Sequence, residues 1–221
     1  MNQLPFSAYD FFGCLSSGAV VIAGIAAAFV GDAPFRQSPS LPVGLVLVIA
    51  AYVIGHIVAG IAGDLIERRL VADRLGRPIP ILLGERQLPP WARRIFRGYG
   101  AQLPGGTQQR IRAAAPGLTG SALFFHCFAV MKRDELVRER LDTFLNLYGF
   151  ARNMSLALLI AATCLVAGVA IGSADTGSFV GPWWWVGASL LGAVGMLYRY
   201  LKFYRQYGQE LLVSYAERET P

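Results

Sequence analysis

Four apolar blocks, separated by charged and proline-rich stretches, set the rhythm of this chain. The first, residues 11–30 (FFGCLSSGAVVIAGIAAAFV), carries no charge. At about 1.5 Å rise per residue, a helix of that length crosses about 30 Å of hydrocarbon. The second block covers residues 42–63, with Pro42 where the first helical turn tolerates proline. The third and fourth cover residues 154–172 and 182–201. This pattern predicts an all-α integral membrane protein with four transmembrane helices and a helical cytoplasmic insertion between spans two and three. Residues 1–63 then hold spans one and two, 64–152 the cytoplasmic helical region, 153–201 spans three and four, and 202–221 a cytoplasmic tail.

Between the blocks the pattern changes to helical amphipathicity. Residues 52–78 begin inside span two and become charged at Asp64. Leu65, Ile66, Leu70, Val71 and Leu75 keep an apolar stripe. The helix is therefore predicted to run on for about three turns, ending at Gly76 before Pro78. Residues 77–106 are rich in Pro and Gly and read as an irregular connection. One short helix is expected there, around Trp91 to Arg97, with Trp91, Ile95 and Phe96 inward and Arg93, Arg94 and Arg97 outward. A second covers residues 107–115. From Thr119 a long helical pattern begins, with Thr119 or Ser121 as N-cap. It passes through SALFFHCFAVM, too short to span, and continues along Leu136, Val137, Leu141, Phe144, Leu145 and Tyr148. After span four, Tyr198, Tyr200, Tyr204 and Tyr207 alternate with Arg199, Lys202 and Arg205. That reads as an interfacial belt followed by a short tail helix.

Composition supports the membrane reading: 54% of residues are hydrophobic and 15% charged, and the mean hydropathy is +0.45. Charge then orients the chain. Residues 64–152 hold 15 Lys and Arg against 8 Asp and Glu, and every other basic residue except Arg36 lies after Met196. Nineteen of the 20 basic residues thus fall on one side, which the positive-inside rule makes cytoplasmic, together with both termini. The net charge of +6 is accounted for by anionic headgroups, which disfavours nucleic acid as a partner. No Lys or Arg precedes Arg36, so a basic signal-peptide region is missing and a retained first span is expected. Trp183, Trp184 and Trp185 read as interface anchors at one membrane face, with Arg152, Tyr198 and Arg199 at the other. Cys14, Cys127 and Cys164 show neither disulfide nor zinc spacing and read as packing residues.

Candidate chemistry is sparse. His56 lies near mid-depth of span two, where an ionisable side chain usually faces a bundle interior or a wet cavity. Its functional readings are proton relay, gate or metal ligand. Its structural reading, which the absence of a second intramembrane His, Asp or Glu favours, is a neutral imidazole bonded to a carbonyl or to the Ser16 or Ser17 hydroxyl. Asp64, Glu67 and Arg68 sit at the cytoplasmic mouth of span two and either line a vestibule or pair on the helix surface, Asp64 with Arg68 at i,i+4. Asp10 favours the N-terminus of the first span through the helix dipole. Gly55, Ala59 and Gly63 recur every fourth residue, as do Gly13 with Ser17 and Gly24 with Ala28. Such faces let helices approach closely and motivate a homo-oligomer. No nucleophile elbow, zincin motif or P-loop occurs, and no cofactor or metal is expected.

Gly55-His56, Glu67-Arg68, Leu75-Gly76-Arg77-Pro78, the run FLNLYGFARNMS from Phe144 and the N-terminal Tyr9-Asp10-Phe11-Phe12 together resemble a set of uncharacterised bacterial four-span integral membrane proteins. The resemblance implies a bacterial inner-membrane location, multi-pass, and brings no activity with it. The sequence reading is a non-enzymatic, self-associating membrane protein whose cytoplasmic helical region contacts a protein partner or ligand. A place in a stress or anti-phage defence system is an analogy with other small multi-span proteins. The alternative is a channel or transporter component with His56 on the pathway.

Overall fold

The computed structural model describes residues 8–31, 38–171 and 182–218, and among them every regular element is helical. The elements are α1 (Ala8–Phe29), α2 (Leu41–Ala62), a π-helical segment (Gly63–Leu75), α3 (Pro78–Leu82), α4 (Pro90–Ile95), α5 (Gly105–Ala114), α6 (Gly120–Met131), α7 (Glu135–Ala170) and α8 (Pro182–Arg218). Arg36 and the expected turn at 173–181 lie outside the described residues. Two compact units divide the chain: residues 1–64 with 149–197, and residues 65–148 with 198–221.

In the first unit, α1 packs on α2 and on the apolar half of α7 through backbone-to-backbone approach. A Cβ on Gly55 would lie 1.8 Å from the Cys14 carbonyl oxygen, and one on Gly18 would lie 1.7 Å from that of Ala51. Farther along, a Cβ on Gly168 would meet the Ala28 carbonyl at 2.4 Å, and one on Gly24 would meet Ala161. The buried face of α2 is Ala51, Gly55, Val58 and Ala62, so the expected Gly55–Ala59–Gly63 stripe is rotated, with Ala59 and Gly63 only half-buried. Ser155 on α7 donates to the Ala193 carbonyl of α8 at 2.8 Å.

The outward faces of this unit are aliphatic. Leu45, Val46, Leu47, Val48 and Ile49 are all exposed, and Leu41 is 90% exposed. Two helices, Leu41–Leu82 and Glu135–Ala170, are long and apolar enough to cross a membrane. Trp183, Trp184 and Trp185 are likewise exposed at the start of α8.

The second unit buries a core drawn from α3, α5, α6, α7 and α8, including Leu82, Ile111, Leu123, Met131, Leu141 and Leu211. Its π-helical segment buries Ile66, Val71 and Leu75, a spacing of five and then four, while Leu65 is exposed. That wider period follows from i→i−5 bonding, seen where the Gly76 amide donates to the Val71 carbonyl at 2.6 Å. Gly76 then turns the chain at φ 99°, a region that only glycine adopts readily.

Three expectations need correction. The helical pattern from Thr119 is broken at Lys132–Asp134, because the Asp134 carboxylate accepts from the Leu136 and Val137 amides (3.1 and 3.3 Å) and starts α7 anew. Trp91 and Ile95 face outward, since α4 buries Ala92 and hands the inward position to Phe96. The four tyrosines expected as a belt do not share an outward face: Tyr200 and Tyr207 are buried in the second unit and Tyr204 is half-buried, leaving Tyr198 exposed, on one continuous helix.

Gly55→Ala is expected to destabilise the protein by about 1–3 kcal/mol through overpacking, whereas Gly60→Ala, with nothing within 4 Å of the new Cβ, is expected to be neutral or mildly stabilising. Thermal unfolding in detergent reads both, and equal effects would contradict the described packing. Asp134→Ala should cost about 1 kcal/mol by removing the α7 cap, measurable in the same assay.

Candidate functional site

Within the second unit, helices remote in sequence line a partly open cavity of about 300 Å³. Its walls combine apolar side chains of Pro78, Ile79 and Phe124 with three tyrosines, Tyr148 of α7 and Tyr204 and Tyr207 of α8. The rings are not parallel. Tyr148 stands 5.1 Å from Tyr204 at 46° and 6.0 Å from Tyr207 at 77°, centroid to centroid, so the three rings pack on one another. Gly208 lets α8 lie close to α3, since a Cβ there would come within 3.3 Å of Pro78.

Two charged residues share the wall, Glu67 from the π-helical segment and Arg77 just after it. Arg77 is held extended at ψ 153°, as expected of a residue preceding proline. Its guanidinium donates to the Ser121 hydroxyl at 3.4 Å, the one hydrogen bond described for it. A single long bond leaves most of its five donors to solvent or to a ligand.

The segment that carries Arg77 is braced from behind. The Tyr99 hydroxyl donates to the Gly76 carbonyl at 2.7 Å, and the Arg86 guanidinium donates to the Ala72 and Asp73 carbonyls at 3.2 and 2.9 Å. Burial drives the Tyr99 phenol far above its ordinary range, with Tyr204 adding to the rise and Arg86 opposing it. Tyr99 is therefore a neutral donor at any physiological pH. Burial also raises Tyr207, with the Asp142 carboxylate contributing. Arg205, which donates to Gln209 and to the Ala101 carbonyl, is lowered by burial. On the far side of the same core, Tyr215 donates to the Ala114 carbonyl at 3.2 Å. The same hydroxyl lies 3.2 Å from His126 Nε2.

Of the sequence candidates, only Glu67 lines this cavity. Arg68 is exposed and Asp64 belongs to the first unit. His56 stands exposed on α2, edge-on to Tyr52 at 4.6 Å and with Nδ1 4.0 Å from the Cys14 sulfur. Ser17 instead donates to the Cys14 carbonyl of its own helix at 3.0 Å. Arg152 is half-buried and donates to Asn153, and Arg199 is exposed, 5.2 Å over the Phe203 ring. Among the described residues, no three His, Cys, Asp or Glu side chains converge on a point that would hold a metal. Arg77 and the tyrosines were missed as site residues because they converge only in the folded unit, and the Arg77-Pro78 step was the one local signal.

Tyr99→Phe should cost about 1–3 kcal/mol by leaving the Gly76 carbonyl without its donor, read by thermal unfolding. The Cys127 thiol, fully buried and pushed up to about 11 by burial, is expected to resist iodoacetamide at pH 8 until the unit unfolds. Rapid alkylation of folded protein would contradict that burial. Comparison with protein-family models, with curated proteins and with solved structures finds no match, so the reading of this site rests on its own chemistry.

Proposed function

We propose that this chain is a non-enzymatic, four-span bacterial inner-membrane protein. Its basic helical unit lies in the cytoplasm and contacts a ligand or protein partner. The observation that carries the membrane part is the exposed aliphatic surface of α2: only 22% of the apolar window in Leu41–Leu82 is buried. The core helix of a water-soluble protein would bury most of such a window. Each large aliphatic side chain left in water forgoes about 1.5–3 kcal/mol of burial, and lipid removes that cost. The described helices α1 and α8 supply the other two proposed spans. The second unit carries most of the charge, in keeping with a cytoplasmic position.

Self-association is supported by His56 and no longer by the small residues. Gly18 and Gly55 are used up within the chain, against Ala51 and Cys14. His56, by contrast, is exposed on a surface shared with the aliphatic side chains Val53 and Ile57. A polar ring facing hydrocarbon is costly, and a second copy covering this flank relieves the cost. The same exposure favours, as a second reading, a pathway lined by His56 between subunits.

The protein should stay in the membrane pellet after alkaline carbonate extraction. With the native cysteines removed, Arg36→Cys should react with an impermeant maleimide on intact spheroplasts and Lys132→Cys only after lysis. Labelling of both from outside would overturn the orientation. Val53→Cys, in the same background, should give a disulfide-linked dimer on oxidation in native membranes; monomer alone would count against self-association at this flank.

A further inference from the structure

The short helix α4 is outward-facing where its sequence pattern predicts the opposite. We propose that it docks the second unit on an anionic lipid surface, with Trp91 and Ile95 entering the boundary between headgroups and acyl chains. Arg94 and Arg97 then meet lipid phosphates in the hydrated headgroup layer, still within reach of water-soluble reagents. This rests on the membrane reading above and names a lipid as the partner of the basic unit at this surface.

The inward positions of the segment are filled by other side chains. Ala92 and Phe96 are buried, and Tyr99 just beyond them is anchored by its bond to the Gly76 carbonyl. Leu88 is buried as well, so close to the returning chain that a Cβ on Gly100 would lie 2.7 Å from it. Pro89 and Pro90 set the backbone at the start of the helix, where proline is pre-organised for it. Trp91 and Ile95 are left outside, 50% and 60% exposed. At i and i+4 they are neighbours on the helix surface, so the segment presents one apolar pair.

Charge decides what covers that pair. Residues 86–133 hold eight Lys and Arg and no Asp or Glu, whereas the rest of the second unit, 65–85, 134–148 and 198–221, holds ten of each. The whole positive excess of the unit therefore belongs to the stretch that carries α4. Within it, Arg86 is engaged with the Ala72 and Asp73 carbonyls, and Arg93 with the Leu88 carbonyl and Gln87. Arg94 and Arg97 are exposed close to the apolar pair in sequence.

An anionic bilayer offers phosphates above and hydrocarbon below, which answers both features: tryptophan settles at the interface and basic side chains are drawn to the surface potential. Other occupants answer only one. A second copy would set these arginines against their own counterparts. A nucleic acid would meet the arginines and leave Ile95 in water. Zwitterionic lipid would take the apolar pair and leave the charge excess without a counterpart. Two apolar side chains and two arginines make a weak contact by themselves, but a unit tethered to the bilayer meets it at high effective concentration.

The test uses the full chain with its native cysteines removed and an environment-sensitive fluorophore at Ile95→Cys, or at Val46→Cys as a control. Each is read in nanodiscs of phosphatidylcholine, with or without 30% phosphatidylglycerol. At Ile95 the emission is expected to be blue-shifted and about threefold brighter when phosphatidylglycerol is present, and 0.5 M salt should reverse the change. Lipids spin-labelled near the headgroup should quench it. The double variant Arg94→Gln, Arg97→Gln should abolish the difference between the two lipids, and Trp91→Ser should reduce it; unfolding curves confirm that each variant is folded. At Val46 the emission should be that of hydrocarbon in both discs. A water-like Ile95 signal in both discs, with Val46 in hydrocarbon, would overturn the docking and leave the membrane reading standing. Water-like signals at both positions would overturn both. An equal blue shift at Ile95 in the two lipids, or one that spin-labelled lipid does not quench, would also overturn the docking, because protein and not anionic lipid would then cover the helix.

Discussion

Water withdraws from aliphatic surface, and α2 offers such surface around most of its circumference while burying only a narrow face. The face it buries is the small one, Ala51, Gly55, Val58 and Ala62, and the large side chains point away from the chain. In a water-soluble protein the arrangement is inverted, with large side chains inside and small or polar ones outside. Helix association in lipid follows other rules: small residues bring backbones together and dispersion contacts replace the hydrophobic drive. The approach of Gly55 to the Cys14 carbonyl and of Gly168 to the Ala28 carbonyl is that kind of contact. Packing and exposed surface in the first unit are both in keeping with the proposed membrane setting.

The second unit obeys the opposite rule. Its large side chains, among them Leu82, Leu123, Leu141, Leu211, Tyr200 and Tyr215, are almost wholly buried. Its carbonyls at helix ends are met by side chains, as Arg86 meets Ala72 and Asp73, and Arg112 meets Leu83. The exposed ion pair between Arg140 and Glu210 at 3.1 Å adds little, because water screens it. The unit is held by its core and by the braces around Gly76. Those braces set the backbone from which Arg77 reaches the cavity, so a buried phenol at Tyr99 and a surface guanidinium at Arg86 contribute to a site that neither lines.

The helical class and the positions of the apolar blocks were legible in the sequence because both depend on local pattern. The stop at Gly76 was legible for the same reason. What escaped was decided by competition or by distance. Asp134 interrupts an otherwise continuous apolar rhythm because its carboxylate outcompetes helix continuation for the Leu136 and Val137 amides. The tyrosines from 200 to 207 alternate with basic residues as an interfacial belt does, and their burial depends on partners from α6 and α7 far away in sequence. Glu67 was singled out for its place after span two. The residues that give it a chemical setting come from four separate helical stretches and their joins, which no spacing rule connects.

The central claim is that the outward flank of α2 meets hydrocarbon while the second unit meets water. Spin labels at Val46, Val53 and Arg94, placed singly in the protein reconstituted in lipid nanodiscs, test it directly through collisional relaxation. At Val46 and Val53 the account predicts high accessibility to oxygen and low accessibility to a water-soluble nickel chelate, with the reverse at Arg94. Strong relaxation by the nickel chelate at Val46 and Val53 would contradict it.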